Sequence, residues 1–348
     1  MRSLINTILA ICLTASFSIA QNLDKQKTKV VYTQLPLKPL PEGITKYWVN
    51  TDIAYLYSGD SKTHTMNSIQ NSAKIDHLEK TNDEGLELLV RLEPYYKSEV
   101  KFETITKTEK RDDKEISVTY HYLTFGYKYP LYFEVKLPGE MEPFYSKFAK
   151  GSDGMSSYRS SEYRSSSALR GWWSDNYKSV QAKLRSSLFQ QNVDDMKATL
   201  AEKFSYRKNN LYSEFLTVKK FKKFEYNDLD EAWAKAKIAL DKISENDIVF
   251  STDFNQSMLE AIAIWQNALN ESDLEDKKTR INKKVTEAIY NNIFLAYTMM
   301  SNFEKAEEVK QIAEERINKR AIDNYNENFL IGRKKRFSAN EGRIPDSI

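Results

Sequence analysis

The chain has 348 residues, of which 41% are hydrophobic, 29% charged and 12% aromatic. This composition excludes a disordered, collagen-like or membrane-embedded protein, and the length allows two or three domains. The net charge is only +3, because 52 basic residues nearly balance 49 acidic ones, which argues against nucleic-acid binding driven by bulk charge.

Residues 1–20 have the pattern of a secretory signal peptide. Arg2 supplies the positive end, residues 8–13 form a short apolar run, and Ala20 closes a small-residue cleavage site. We therefore expect export, with the periplasm as the location and the cell surface or secretion as the alternative. The single cysteine, Cys12, lies in this segment, so the mature chain has no disulfide. No later run is apolar over the roughly 20 residues of a transmembrane helix.

Residues 28–140 alternate apolar and polar side chains, which is typical of strands with one buried face. The clearest predicted hairpin has its turn in the charged run 109–114. After it, one face is formed by Ile116, Val118, Tyr120 and Tyr122. The fold class predicted from this region and the helical C-terminal part is α+β, with an N-terminal antiparallel β-sandwich-like domain over 28–140.

The next segment, 141–173, is rich in Ser, Tyr and Arg and ends in Trp172 and Trp173. We interpret it as a connector. Its mixture of aromatic, hydroxyl and arginine side chains is typical of binding surfaces. The alternative is a linker whose tryptophans join the core.

Residues 174–226 are predicted to be a mixed segment with two helices and then an extended stretch from 211. A break is expected before Asn192, which would cap the second helix. A helical domain follows over 228–330, and 331–348 is expected to be a basic polar tail.

Large residues and alanines recur at helical spacing near the end of the helical domain, at Tyr290, Ile293, Phe294, Tyr297, Phe303, Ala306 and Ala313. With these residues the domain resembles a tetratricopeptide repeat, in which two antiparallel helices carry large residues and alanines at their close contacts. Two earlier segments, around Ala236 and Trp265, match the second helix of such a repeat. The resemblance implies an irregular array of helical hairpins.

An export signal before a helical repeat is similar to the layout of exported repeat proteins of the Gram-negative envelope, which mostly bind other proteins. The resemblance implies a non-enzymatic scaffold or adaptor that binds another envelope or outer-membrane protein through the helical domain. The candidate partner-binding residues are Trp172, Trp173, Tyr290 and Tyr297, provided that their side chains are exposed. The alternative is a carbohydrate-binding module that uses exposed aromatics of the β domain or the connector.

Neither catalytic residues nor a metal or cofactor site is predicted. The three histidines are far apart in sequence, at His64, His77 and His121, and no cysteine of the mature chain can complete a metal site. The chain contains no Gly-x-Ser-x-Gly elbow and no phosphate-binding glycine loop. A hydrolase with unrecognised carboxylates remains a third class of function.

Overall fold

A computed structural model describes residues 22–57, 60–219 and 224–345. The export signal lies outside these residues. In chain order the strands are β1 (Leu23–Gln34), β2 (Lys46–Ile53), β3 (Glu79–Lys80), β4 (Leu86–Leu92), β5 (Tyr96–Lys97), β6 (Lys101–Arg111), β7 (Lys114–Lys128), β8 (Leu131–Lys136), β9 (Tyr145–Phe148), β10 (Ser156–Arg159), β11 (Arg207–Val218), β12 (Ser272–Asp273) and β13 (Ile281–Asn282). The helices are α1 (Lys62–Ser72), α2 (Ser166–Phe204), α3 (Asn227–Leu240), α4 (Thr252–Ala268), α5 (Lys283–Met299), α6 (Phe303–Arg316) and α7 (Asn324–Ala339).

The protein is α+β, with sheets in the N-terminal and middle parts and helices in the C-terminal part, as predicted. It forms two compact units. The sheet unit comprises Thr33–Lys208 and Lys335–Ile344. The helical unit comprises Asn209–Lys334 together with the described chain up to Tyr32.

The sheet unit contains a five-stranded sheet in the order β3-β2-β4-β8-β9. Strand β4 alternates buried and partly exposed residues, and its buried side chains are Leu86, Leu88, Val90 and Leu92. They share a core with Ile69 of α1 and with Met196 and Leu200 of α2. The core on this face therefore forms between a sheet and helices, whereas a sandwich core forms between two sheets.

The pairing in this sheet also differs from the expected antiparallel one. Strand β2 pairs parallel with both β3 and β4, while β4, β8 and β9 pair antiparallel. The physical reason is helix α1, which lies between β2 and β3 in the chain and returns it to the starting end of the sheet.

The hairpin predicted around residues 109–114 is confirmed as β6 and β7, which pair antiparallel from Lys101↔Thr124 to Arg111↔Lys114. Asp112 and Asp113 form the turn, with φ of 48° and 60°. These are left-handed conformations that Asp tolerates better than most residues and that two-residue hairpin turns require. Strand β7 continues to β5 and β10, which complete a four-stranded sheet.

The middle of the chain differs from the prediction in two ways. The 141–173 segment is not only a connector, because it contributes β9, β10 and the first turns of α2. The expected helix break before Asn192 is wrong, since α2 is one helix of 39 residues. Asn192 is buried within it and donates from Nδ2 to the carbonyl of Tyr129 at 2.7 Å. A polar residue typical of caps is thus used for a long-range contact.

The helical unit contains two helical hairpins, α3 with α4 and α5 with α6. Alanines of these helices are buried in the core of the unit, among them Ala232, Ala236, Ala261, Ala306 and Ala313. Strands β1 and β11 form a two-stranded ribbon. The ribbon is antiparallel, because Asn22 bonds to Lys219 at one end and Gln34 to Arg207 at the other. The core of this unit includes Tyr32 of β1 and Phe215 of β11.

The tail expected at 331–348 is wrong in its first part. Residues up to Ala339 continue helix α7, and Arg333 and Arg336 are both buried. Arg336 donates from Nη1 to the carbonyl of Leu35 at 2.7 Å. Arginine can be buried when backbone carbonyls accept the hydrogen bonds of its guanidinium group. A basic run that has the composition of a solvated helix end therefore supplies long-range hydrogen bonds.

Arg280 joins two parts of the helical unit through a pair of acids. Its guanidinium donates to both carboxylate oxygens of Asp228, at 2.8 and 2.7 Å, and to those of Glu271, at 2.8 and 2.9 Å. Burial opposes ionisation of Asp228, but the hydrogen bonds and charge of Arg280 outweigh it and hold the pKa of Asp228 below its usual value. Hydrogen bonds from Arg280 likewise lower the pKa of Glu271.

This cluster predicts a pH-dependent contribution to stability. Because both acids have a lower pKa in the folded chain, their stabilisation is present above about pH 4 and is lost as the pH falls below it. We expect Arg280→Gln to lower the free energy of unfolding by about 1 kcal/mol near neutral pH, since the cluster is partly exposed. The measurement is urea unfolding of both proteins across the acidic range. A difference between them that grows on acidification would contradict the assignment.

Candidate functional site

The four aromatic residues predicted to bind a partner differ in exposure: the two tyrosines are buried and the two tryptophans are half-buried. Tyr290 and Tyr297 expose only 5% and 8% of their surface, so they belong to the core of the helical unit. The Tyr290 hydroxyl accepts a hydrogen bond from Nη1 of Arg316 at 2.9 Å. The condition of exposure under which these two tyrosines were candidates is not met.

Trp172 and Trp173 lie in the other unit and are half-buried near the start of α2. The Trp173 ring lies 5.5 Å from that of Phe125, and the Trp172 ring lies 5.7 Å from that of Tyr163. Both tryptophans pack against a small cluster formed around Leu123. This packing is what the linker alternative predicts for the tryptophans, and the binding role of the two half-buried rings stays a prediction.

The Ser/Tyr/Arg-rich segment uses its arginines within the chain. Three guanidinium groups lie over aromatic rings of the β6–β7 hairpin: Arg159 over Tyr122 at 3.9 Å, Arg164 over Tyr120 at 5.4 Å and Arg170 over Phe102 at 4.1 Å. Arg164 also donates to Glu109 at 2.8 Å. The composition that resembles a binding surface therefore attaches the segment to its own hairpin, and these ring faces are covered.

A different surface, on the helical unit, has the geometry of a binding site. It is an open groove of about 1000 Å³ between the β1–β11 ribbon, helix α5 and the start of α7. We call it the ribbon groove. Its charged lining residues are Lys25, Lys27, Lys29, Lys284 and Arg320, and Glu214, Glu287 and Asp323. Cationic side chains outnumber acidic ones, so the groove favours an anionic ligand.

Strand β1 forms the most basic wall of the ribbon groove. Because side chains alternate along a strand, Lys25, Lys27 and Lys29 lie on one face, while Val30 and Tyr32 are buried on the other. Lys25 is paired with Glu214 of β11. Lys27 and Lys29 have no acidic partner among the residues that the structure describes.

Helix α5 forms the facing wall. Its lining residues recur at helical spacing, at positions 284, 287, 288 and 291, and so share one face. Burial raises the pKa of Glu287 on this wall above its usual value. Asn291 donates to the carbonyl of Ala321 at 2.7 Å and accepts from the backbone N–H of Asp323 at 2.8 Å. These bonds hold the loop that presents Arg320, whose side chain has no ion-pair partner in the described part of the chain.

Two exposed aromatic rings also line the groove. Tyr212 on β11 exposes 59% of its surface and Tyr325 in α7 exposes 49%. Exposed tyrosines beside basic residues are suited to binding, because a tyrosine ring covers a large area and immobilises few rotatable bonds.

The ribbon is attached to helix α5 through its backbone next to the groove. Asn292 of α5 accepts from the N–H of Leu216 and donates to its carbonyl, both at 2.8 Å. The neighbouring Phe215 ring stacks on Trp265 of α4, with centroids 5.7 Å apart and planes 13° from parallel. A helical face that could hold an extended segment of a partner thus already holds one of this chain.

This groove is not among the sites predicted from the sequence. The alternating lysines at 25, 27 and 29 were the available signal, but the lysines alone do not tell which element faces them. Asn291 and Asn292 were a second signal, since adjacent asparagines inside a helix disfavour it unless they serve long-range contacts.

Comparison with known protein families finds no family model that matches this chain, and a search of curated proteins finds no match either. Among the described residues, no helix is both long and apolar enough to cross a membrane.

Proposed function

We propose that this protein is a non-enzymatic adaptor that binds an extended acidic segment of a protein partner in the ribbon groove. The observation that carries this proposal is the row of lysines on β1. Lys27 and Lys29 face an open groove without an acidic partner from the described residues. Binding of a carboxylate to these two lysines has a small free-energy cost, because no existing ion pair must first be broken.

The spacing of the lysines supports an extended ligand. Alternate side chains on a strand are about 7 Å apart, and so are alternate side chains of an extended peptide. A peptide lying along β1 with an acid at every second position therefore places a carboxylate opposite each lysine. The exposed rings of Tyr212 and Tyr325 add apolar area for the residues between.

The location and the architecture belong to the same proposal. The signal-peptide pattern of residues 1–20 supports export, and we infer an envelope protein, periplasmic first, whose partner is another envelope or outer-membrane protein. We further infer that the α3–α4 and α5–α6 hairpins are two units of an irregular tetratricopeptide-like array. The buried alanines of these four helices support this inference, because such repeats place small residues where their helices pack closely.

The test is binding of a fluorescein-labelled oligo-glutamate peptide to the mature chain, followed by fluorescence anisotropy. We expect the double variant Lys27→Glu/Lys29→Glu to bind at least about tenfold more weakly, because two attractions become repulsions. Affinity of the unchanged protein should fall as salt is added.

A matched control makes the same change of net charge elsewhere. Lys183 and Lys197 are exposed on α2 in the sheet unit, so Lys183→Glu/Lys197→Glu should leave the affinity within about twofold. Equal losses in the two double variants would mean that bulk charge rather than the groove attracts the peptide. An oligo-lysine peptide that binds as tightly as oligo-glutamate would also contradict the proposal.

A second candidate ligand is an acidic glycan, which is favoured by the two exposed tyrosines in the same groove. Sugar rings stack on tyrosine, and uronic acid groups pair with lysine. Competition between oligogalacturonate and the labelled peptide distinguishes the two ligands. Displacement that depends on Tyr212 and Tyr325, with weak peptide binding, would favour the glycan.

A further inference from the structure

Strand β6 has a long edge that no other described strand covers. Along its whole length, from Lys101 to Arg111, it pairs with β7 on one side only. Strands β5 and β10 also pair with β7 and not with β6. An edge of this length exposes a row of backbone donors and acceptors and can pair with a further strand.

The charges of β6 follow a particular order on one face. On the face shared with Tyr120 and Tyr122, the side chains in chain order are Lys101, Glu103, Ile105, Lys107, Glu109 and Arg111. Read outward from Ile105, each acid on one side corresponds to a lysine on the other. This antisymmetry means that the strand is complementary to an antiparallel copy of itself.

We propose that β6 pairs antiparallel with β6 of a second copy of this chain, about a two-fold axis at Ile105. Because a two-fold axis normal to the sheet keeps each face on its own side, facing residues have numbers of equal parity. Lys101 then lies opposite Glu109 of the second copy, and Glu103 lies opposite Lys107. Each of these two pairs occurs twice in the dimer.

The other face of the strand accepts this register without a charge conflict. There Thr104 lies opposite Thr106, and Phe102 lies opposite Thr108. These residues are uncharged and, like threonines in general, are well suited to strands. The pairing therefore uses charges on one face and neutral contacts on the other.

Neighbouring registers are unfavourable. When the pairing axis moves by one residue toward Thr106, Glu103 faces Glu109 and Lys101 faces Arg111. When the axis moves by one residue toward Thr104, Lys101 faces Lys107. Like charges directly opposite each other destabilise strand pairing. Lysines on an edge strand commonly prevent indiscriminate pairing, and here their order permits one register and opposes its neighbours.

Two of the charged groups in this pairing, one acid and one lysine, already have partners within their own chain. Glu103 accepts hydrogen bonds from the Tyr122 hydroxyl at 2.8 Å and from the Thr124 hydroxyl at 2.7 Å. Lys107 is paired with Glu162 at 2.6 Å. Since a carboxylate has more than two acceptor positions and an ammonium has three protons, each group can keep its present partner and gain one across the dimer.

The experiment is sedimentation equilibrium of the mature chain over a range of concentrations. We expect a reversible monomer–dimer equilibrium for the unchanged protein. Lys107→Glu places two acids opposite each other at two places in the dimer and should raise the dissociation constant at least about tenfold. Lys101→Glu should have the same effect, because it places an acid opposite Glu109 at two places in the dimer. The Lys101 side chain is exposed, so we expect this variant to keep its fold.

A matched control and a complementation test decide the outcome. Lys110→Glu makes the same charge change on the opposite face of β6, where the register gives it no charged partner, so association should be unchanged. Glu103→Lys and Lys107→Glu should each dimerise poorly alone, but a mixture should restore a heterodimer because every facing pair is again opposite in sign. A monomer at every concentration, or equal effects of Lys107→Glu and Lys110→Glu, would overturn the proposal.

Discussion

Replacing Phe215 with alanine should lower the free energy of unfolding of the helical unit by about 3–5 kcal/mol. The side chain is fully buried on β11, and the centroid of its ring lies 5.7 Å from that of Trp265 and 5.7 Å from that of Trp233. Its removal leaves a cavity and deletes the stacking that fixes the ribbon to the helices. The effect is best measured by hydrogen exchange of α4 and α5, because the two units need not unfold together.

Tyr212→Ala is the control for this prediction. Tyr212 lies three residues earlier on the same strand, but its side chain is on the exposed face. We expect its loss to change the stability by less than about 0.5 kcal/mol. Similar losses of protection in the two variants would show that the ribbon is held by its backbone pairing alone and not by the Phe215 contacts.

The same contacts bear on how the helical array folds. Residues 228–330, which the sequence predicts as a helical domain, contain Asn292 and Trp265 but neither Phe215 nor the backbone of Leu216 that Asn292 binds. A structural unit that includes these partners must contain β11 and therefore also β1. The ribbon is a component of the helical core rather than a separate element.

Local patterns predicted the elements better than their pairing. The period-two run after residue 116 and the charged turn at 109–114 determine a hairpin, because its two strands are adjacent in the chain. By contrast, β1 and β11 are separated by most of the sheet unit, and alternation shows which face of a strand is buried but not which strand lies beside it. The β1–β11 ribbon, and with it the ribbon groove, therefore could not be predicted from the sequence alone.

Polar residues in buried positions account for most of the other differences. The sequence predicts Asn192 as a cap because asparagine is unfavourable inside helices, yet its amide donates a hydrogen bond to the carbonyl of Tyr129. The sequence likewise predicts Arg333 and Arg336 as part of a polar tail, because arginine is mostly exposed in proteins. In each case a distant carbonyl accepts the hydrogen bonds, and a single sequence contains no local record of that acceptor.

Replacing Arg333 with alanine should destabilise the helical unit by about 3–5 kcal/mol, because it leaves a buried acceptor without its donor and a cavity in place of a large side chain. The side chain is only 4% exposed. Its guanidinium donates to the carbonyl of Ile248 at 3.0 Å and to the Ser301 hydroxyl at 3.1 Å. It also lies 4.8 Å from the centre of the Phe250 ring. Alanine would leave the Ile248 carbonyl buried without this donor and open a cavity beside the ring.

Two variants separate this role from that of an ordinary surface cation. Lys335 lies two residues further along α7 and is exposed, so Lys335→Ala should change the stability by less than about 0.5 kcal/mol. Arg333→Lys keeps the charge but cannot donate to two acceptors in the fixed geometry of a guanidinium, so its loss should fall between the other two. The measurement is urea unfolding followed by hydrogen exchange of α5 and α7. If Arg333→Ala were as stable as Lys335→Ala, the side chain would be solvated, and the basic run would be the polar tail that the sequence predicts.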